Sequence, residues 1–175
     1  MYSVDERDKV VPLAGVPQSS VGAPIPVALA DEHRVVLAYY VEERTPGWDG
    51  STARVVYPDD GNEPIAIVRF SHSRVHMFGP PNDEAFAGHP LASRGLQPYS
   101  PFEVKESSWI RRLERMNSVH PSHRPESFWQ LRHLIFAFHD STFECVCRAF
   151  DVRSTRGSLE SVIPTMAQLL EWDGH

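Results

Sequence analysis

The stretch from His133 to Phe150, HLIFAFHDSTFECVCRAF, constrains the fold more than any other part of the chain. Two runs rich in aromatic and β-branched residues flank a short polar centre, the pattern of a β-hairpin. Period-two alternation puts Leu134, Phe136, Phe138, Cys145, Cys147 and Ala149 on one wholly apolar face, which must meet a core. His133, Ile135, Ala137, His139, Glu144, Val146, Arg148 and Phe150 share the other face. A four-residue connection at Asp140 to Phe143, or a two-residue one at Ser141 and Thr142, sets His139 opposite Glu144, Phe138 opposite Cys145 and Phe136 opposite Cys147.

That register concentrates His139, Asp140 and Glu144 at the hairpin tip. A histidine beside carboxylates is held as imidazolium or in one tautomer, which suits a general acid or base. The same trio would suit a divalent metal. The plainer alternative is a cross-strand pair of His139 and Glu144, with Asp140 capping the turn.

Upstream, Ile65 to Ser71 and Arg74 to Phe78 read as a tight hairpin with Phe70 facing Val75 and Val68 facing Met77. Val35 to Val41 reads as another strand, and residues 53–57 as a further one beyond a turn at residues 45–50. Residues 79–101 carry five prolines and three glycines, a long irregular segment of the kind that often bears function. Asp83, Glu84, His89 and Arg94 are its candidate binding residues; the alternative is that they satisfy the loop's own backbone.

Helical spacing of Trp109, Ile110, Leu113 and Met116 predicts a helix over residues 109–117 capped by Ser107 or Ser108. A second, short helix fits residues 126–132. A third apolar stripe runs from Leu159 to Leu170 toward Trp172, and Pro164 fits it if Ser161 is the cap. The first 30 residues, with Pro12, Pro17, Pro24 and Pro26, read as an extended arm. The expectation is an arm at 1–30 and a single α+β domain at 31–175: an antiparallel sheet of about six strands with two or three helices on one face.

Composition narrows the function. The net charge of −6 argues against broad nucleic-acid binding. No apolar run approaches the ~20 residues that span a bilayer, and the acidic N-terminus is unlike a signal peptide. Cys145 and Cys147, two apart on a strand, are placed as reduced, buried thiols rather than a disulfide, in keeping with a cytoplasmic protein. They also pair poorly with His120 and His123 as a zinc site. No cofactor fingerprint, nucleophile elbow or phosphate loop is present.

Charge is uneven. Residues 31–63 hold eight acids against three arginines, and residues 107–133 hold five arginines against two acids. The expected function is therefore a small acidic protein-binding module, of the inhibitor, adaptor or immunity type, that meets a basic partner protein. Homodimerisation through an edge strand fits the same architecture. The alternative is a small hydrolase or isomerase using His139 with Asp140 or Glu144, metal-assisted or not.

Overall fold

The structure is a computed structural model that describes residues 2–43 and 56–171. The turn read at residues 45–50, most of the strand read at 53–57, and Trp48, Asp49 and Trp172 lie outside the described residues.

In chain order the strands begin β1 (Lys9–Pro12), β2 (Val27–Ala30), β3 (Arg34–Tyr40), β4 (Glu63–Ser71) and β5 (Val75–Gly79). They continue as β6 (Pro101–Lys105), β7 (Arg132–Ala137), β8 (Thr142–Cys147) and β9 (Ala149–Gly157). Three helices accompany them: α1 (Ser108–Asn117), α2 (Glu126–Trp129) and α3 (Leu159–Leu169). Two antiparallel sheets result, one ordered β1-β6-β7-β8-β5 and the other β2-β3-β4-β9. The α+β class and antiparallel pairing are as the sequence predicts. The strands are divided between two sheets, however, and the helices lie on opposite outer faces rather than one.

The layering follows from alternation. Leu134, Phe136, Phe138, Phe143, Cys145 and Cys147 meet Val35, Leu37, Tyr39, Ala66, Val68 and Phe70 of the second sheet in the central core. The opposite face of the second sheet, with Val36, Ala38, Tyr40, Ile65 and Ile67, is covered by Leu159, Val162, Met166 and Leu169 of α3. The outer face of the first sheet, with Val104, Ile135, Ala137 and Val146, is covered by Tyr2, Phe86, Leu91, Leu96 and Trp109. Each strand of the inner pairs therefore has two buried faces, which explains the nearly continuous apolar runs.

The β7–β8 hairpin forms, in a different register. Ile135, not His139, lies opposite Glu144, and Phe136 lies opposite Phe143. Seating Phe143 in the core against Phe70 and Phe136 makes it a strand residue and confines the connection to residues 138–141. The shift in pairing is even, so both faces keep their expected composition.

The tight hairpin of β4 with β5 does not form. The two strands lie in different sheets, β4 beside β9 and β5 beside β8. Together, residues 63–79 and 142–157 make one long ribbon that bends from sheet to sheet. The Arg148 amide donates to the Ser71 carbonyl and the Arg74 amide to the Val146 carbonyl, so pairing continues through the bend. Partner numbers sum to 220 before it (Ser71 with Ala149) and 221 after it (Val75 with Val146), the one-residue offset of a bulge. His72 absorbs the bend at a φ of 53°. Ala149, assigned by alternation to the hairpin's core face, instead opens β9 and is exposed.

The Pro-rich N-terminal segment lies on the body and gives an edge strand to each sheet, β1 beside β6 and β2 beside β3. In α3 the cap is Ser158, and Ser161 completes a capping box with it. Pro164 thus sits past the first turn, where its missing N–H deprives the Glu160 carbonyl of a helical donor.

Candidate functional site

The structure divides the hairpin-tip trio. His139 and Asp140 stay at the exposed tip, with His139 Nδ1 2.9 Å from Asp140 Oδ1. The loop at residues 79–101 reaches the same place: the Asp83 amide donates to the His139 carbonyl, and the Asp83 carboxylate lies 4.0 Å from His139 Nε2. The Tyr99 hydroxyl donates to Asp83 from a backbone at φ 62°. The Asp140 hydrogen bond raises the His139 pKa and Asp83 adds to it. Tyr99 is pushed up to about 12 by burial and by Asp83. This cluster is a surface ion pair that closes the loop onto the tip. Glu84 stays exposed on that loop. Arg94 leaves it and donates to the Asp8 carbonyl, 2.9 Å away.

Glu144 is elsewhere, on the outer face of the first sheet and buried. Three donors converge on its carboxylate. The Tyr2 hydroxyl donates to Oε2 at 2.6 Å, His133 Nε2–H donates to the same oxygen at 2.8 Å, and His89 Nε2–H donates to Oε1 at 3.2 Å. The Leu91 amide donates to His89 Nδ1, which leaves that ring's proton on the nitrogen facing Glu144. Burial alone would raise the Glu144 pKa, but the His133, His89 and Tyr2 hydrogen bonds outweigh it and hold the carboxyl at about 2. His89 thus joins Glu144 rather than the other loop candidates.

The network continues outward through Ser107. Its Oγ lies 2.9 Å from His133 Nδ1 and accepts the Ile110 amide at 3.3 Å as the cap of α1. Tyr2 stacks on Trp109 with ring centroids 4.8 Å apart, and both rings meet His133 edge-on. Asp8 fixes the same helix end, accepting the Ser108 amide at 2.6 Å.

Ser107 is also one wall of a groove of about 660 Å³ between β6, α1 and α2. Its apolar surface comes from Ile110, Phe128, Trp129 and Leu131. Its cations are held in pairs: Arg132 and Lys105 with Glu103, Arg111 and Arg7 with Asp5. Beyond the groove, the apolar stripe of α1 outruns the sheet. Trp109, Ile110 and Leu113 pack inward, while Met116, one turn on, is 64% exposed. Val119 and Trp129 are 88% and 75% exposed. Arg112, Arg115 and Arg124 are exposed in the same stretch of sequence and form no ion pair among the described residues.

Tyr2, Ser107 and His133 are functional candidates that sequence reading missed. The one available signal was the shared hairpin face of His133 and Glu144. Both cysteines are buried free thiols in the central core, and Cys145's hydrogen bond and burial raise the Cys147 pKa. Among the described residues no group of three or more His, Cys, Asp or Glu is arranged to hold a metal ion. His123 pairs with Glu114 instead. No helix among them is long and apolar enough to cross a membrane. Compared with family models, curated proteins and solved structures, the chain finds no match.

Proposed function

We propose that this chain is a protein-binding module whose docking surface is the groove and helical rim at residues 103–132, and whose partner presents an acidic segment with an apolar anchor. The observation that carries this reading is that Met116, Val119 and Trp129, the most exposed large apolar side chains described, share residues 112–129 with Arg112, Arg115 and Arg124, exposed arginines that form no ion pair among the described residues. Exposed apolar surface rimmed by like charges is a recurrent feature of protein interfaces, and tryptophan and arginine are their commonest anchors.

The acidic stretch is less suited to the role. Asp31 pairs with Arg34, Glu43 with Arg156, Glu42 accepts the Val21 amide and Asp60 accepts the Tyr57 amide. Those four carboxylates are engaged by the fold itself, while Glu32 and Asp59 stay exposed. That favours an acidic partner over the basic one expected from sequence.

The test uses a panel of acidic peptides, each with one Leu, Phe or Trp anchor, titrated against the full chain at low and moderate salt. Binding that weakens with salt and falls at least tenfold in Arg112→Glu/Arg115→Glu/Arg124→Glu supports the proposal. Absence of binding at low salt, or indifference to the charge reversal, overturns it.

A further inference from the structure

We infer that Ser107 is the nucleophile of an acyl-transfer site, served by His133 and Glu144 and opening on the groove beside α1, with carboxylic esters as its substrate class. This goes beyond the docking proposal and stands or falls without it.

Three separate observations converge. First, Ser107 sits at a sharp turn from β6 into α1, and the residue before it, Glu106, holds a φ of 52°. A non-glycine residue in that region is strained, and such strain clusters at functional turns. A serine on a strained strand-to-helix turn is also the placement that presents a nucleophile in unrelated hydrolases. Second, Ser107, His133 and Glu144 form one unbroken chain, 2.9 Å from Oγ to Nδ1 and 2.8 Å from Nε2 to Oε2. Third, Ser107, itself buried to 3% exposure, borders the groove, while Glu144 at the other end of the chain is sealed in the interior.

Proton placement follows from the acceptors. The Glu144 carboxylate accepts a hydrogen bond from His133 Nε2–H, so the Nδ1 lone pair faces Ser107. The Ser107 hydroxyl donates to it while Oγ accepts the Ile110 amide. One Oγ lone pair is left for attack. Tyr2 and His89 also donate to Glu144 and fix its position, as positioning residues. Nucleophile, base and orienting carboxylate are thereby all present, with the two imidazole nitrogens exchanged relative to the commoner arrangement.

In the reaction, Ser107 Oγ bonds to the ester carbonyl carbon as its proton passes to His133 Nδ1. Collapse of the adduct breaks the carbon–oxygen bond to the alcohol, which leaves with that proton. Water then attacks the acyl-serine, His133 takes its proton and returns one to Ser107, and the carboxylic acid departs. Ile110, Phe128 and Leu131 suit an apolar acyl or aryl group.

The experiment treats the folded full chain with a biotinylated fluorophosphonate, maps the adduct by peptide mass spectrometry, and follows p-nitrophenyl butyrate hydrolysis. A single adduct on Ser107, absent in Ser107→Ala and retained in Ser108→Ala, supports the site. Hydrolysis should fall at least a hundredfold in Ser107→Ala and at least tenfold in His133→Gln. An unlabelled folded chain, an adduct that maps elsewhere, or hydrolysis unchanged in Ser107→Ala overturns it. Because mapping is done on the unaltered chain, a variant that fails to fold does not blunt the result.

Discussion

At the scale of single residues, Glu144 decides more than any other side chain. A carboxylate accepts three donors without conflict, whereas a glutamine in its place offers one acceptor oxygen and an amide that must face an N–H or O–H. Glu144→Gln should therefore cost about 3–5 kcal/mol in urea denaturation, because it leaves two buried donors without an acceptor at roughly 1–3 kcal/mol each. Tyr2→Phe keeps the stack on Trp109 but loses a hydroxyl donor to a charged acceptor, for about 1.5–3 kcal/mol. The pH dependence has a definite sign. The folded pKa of Glu144 is depressed to about 2 from an ordinary 4.5, so its stabilisation is present above 4.5 and lost as pH falls toward 2. A loss on the order of 3 kcal/mol is expected across that window. Glu144→Gln should show a much flatter profile there; equal slopes would mean that other carboxylates dominate acid unfolding. That His133 and Glu144 share a hairpin face was legible from alternation, but the register read from sequence sets His139, not His133, beside Glu144. Tyr2 and His89 were not legible, since they arrive from irregular segments whose long-range contacts no periodicity encodes.

At the scale of elements, the third helix shows how local rules and tertiary demands trade places. Moving its start from Ser161 to Ser158 satisfies two amides reciprocally and brings Leu159 into the core. The gain outweighs the hydrogen bond that Pro164 removes. Ser158→Ala should cost about 1 kcal/mol, as cap substitutions do. Gly157→Ala places a Cβ 2.8 Å from Ser161 Oγ and should displace that hydroxyl from the capping box. The cost should be about 1–3 kcal/mol, shared between that clash and a φ of 159° that an L side chain rarely adopts, so that Gly157→Ala/Ser161→Ala recovers only the share due to the clash. A full double-mutant cycle in urea measures this; additive losses would show that the clash relaxes elsewhere. The sheet-switching ribbon marks the opposite limit of legibility. Val68, Phe70, Val75 and Met77 alternate as a tight hairpin would, and a bulged strand passing between two sheets produces the same alternation. Only the partners, β8 and β9, distinguish the two, and they lie some 70 residues downstream.

At the scale of the whole molecule, the two sheets share one apolar interior, and Cys145 and Cys147 lie within it. Sequence alone placed these thiols correctly, because two cysteines on one apolar hairpin face have nowhere else to go. It gave no hint that a second sheet would cover them, since a half-buried sheet and a sandwiched one share the period-two pattern. The consequence is a direct reporter of cooperativity. A disulfide reagent reaches either sulfur only when the sheets part, and the raised Cys147 pKa further disfavours the reactive thiolate. The native chain should thus resist dithionitrobenzoate while the urea-unfolded chain releases two equivalents. If exposure requires global unfolding, labelling should track stability: Glu144→Gln, on the far side of the first sheet, should accelerate it by roughly two to three and a half orders of magnitude, since each 1.4 kcal/mol is a factor of ten. Acceleration of that size would show that the buried carboxylate network and the inter-sheet core belong to one cooperative unit. An unchanged rate would show that the sheets open independently of that network, and Glu144 would then be stabilising the groove side of the molecule alone.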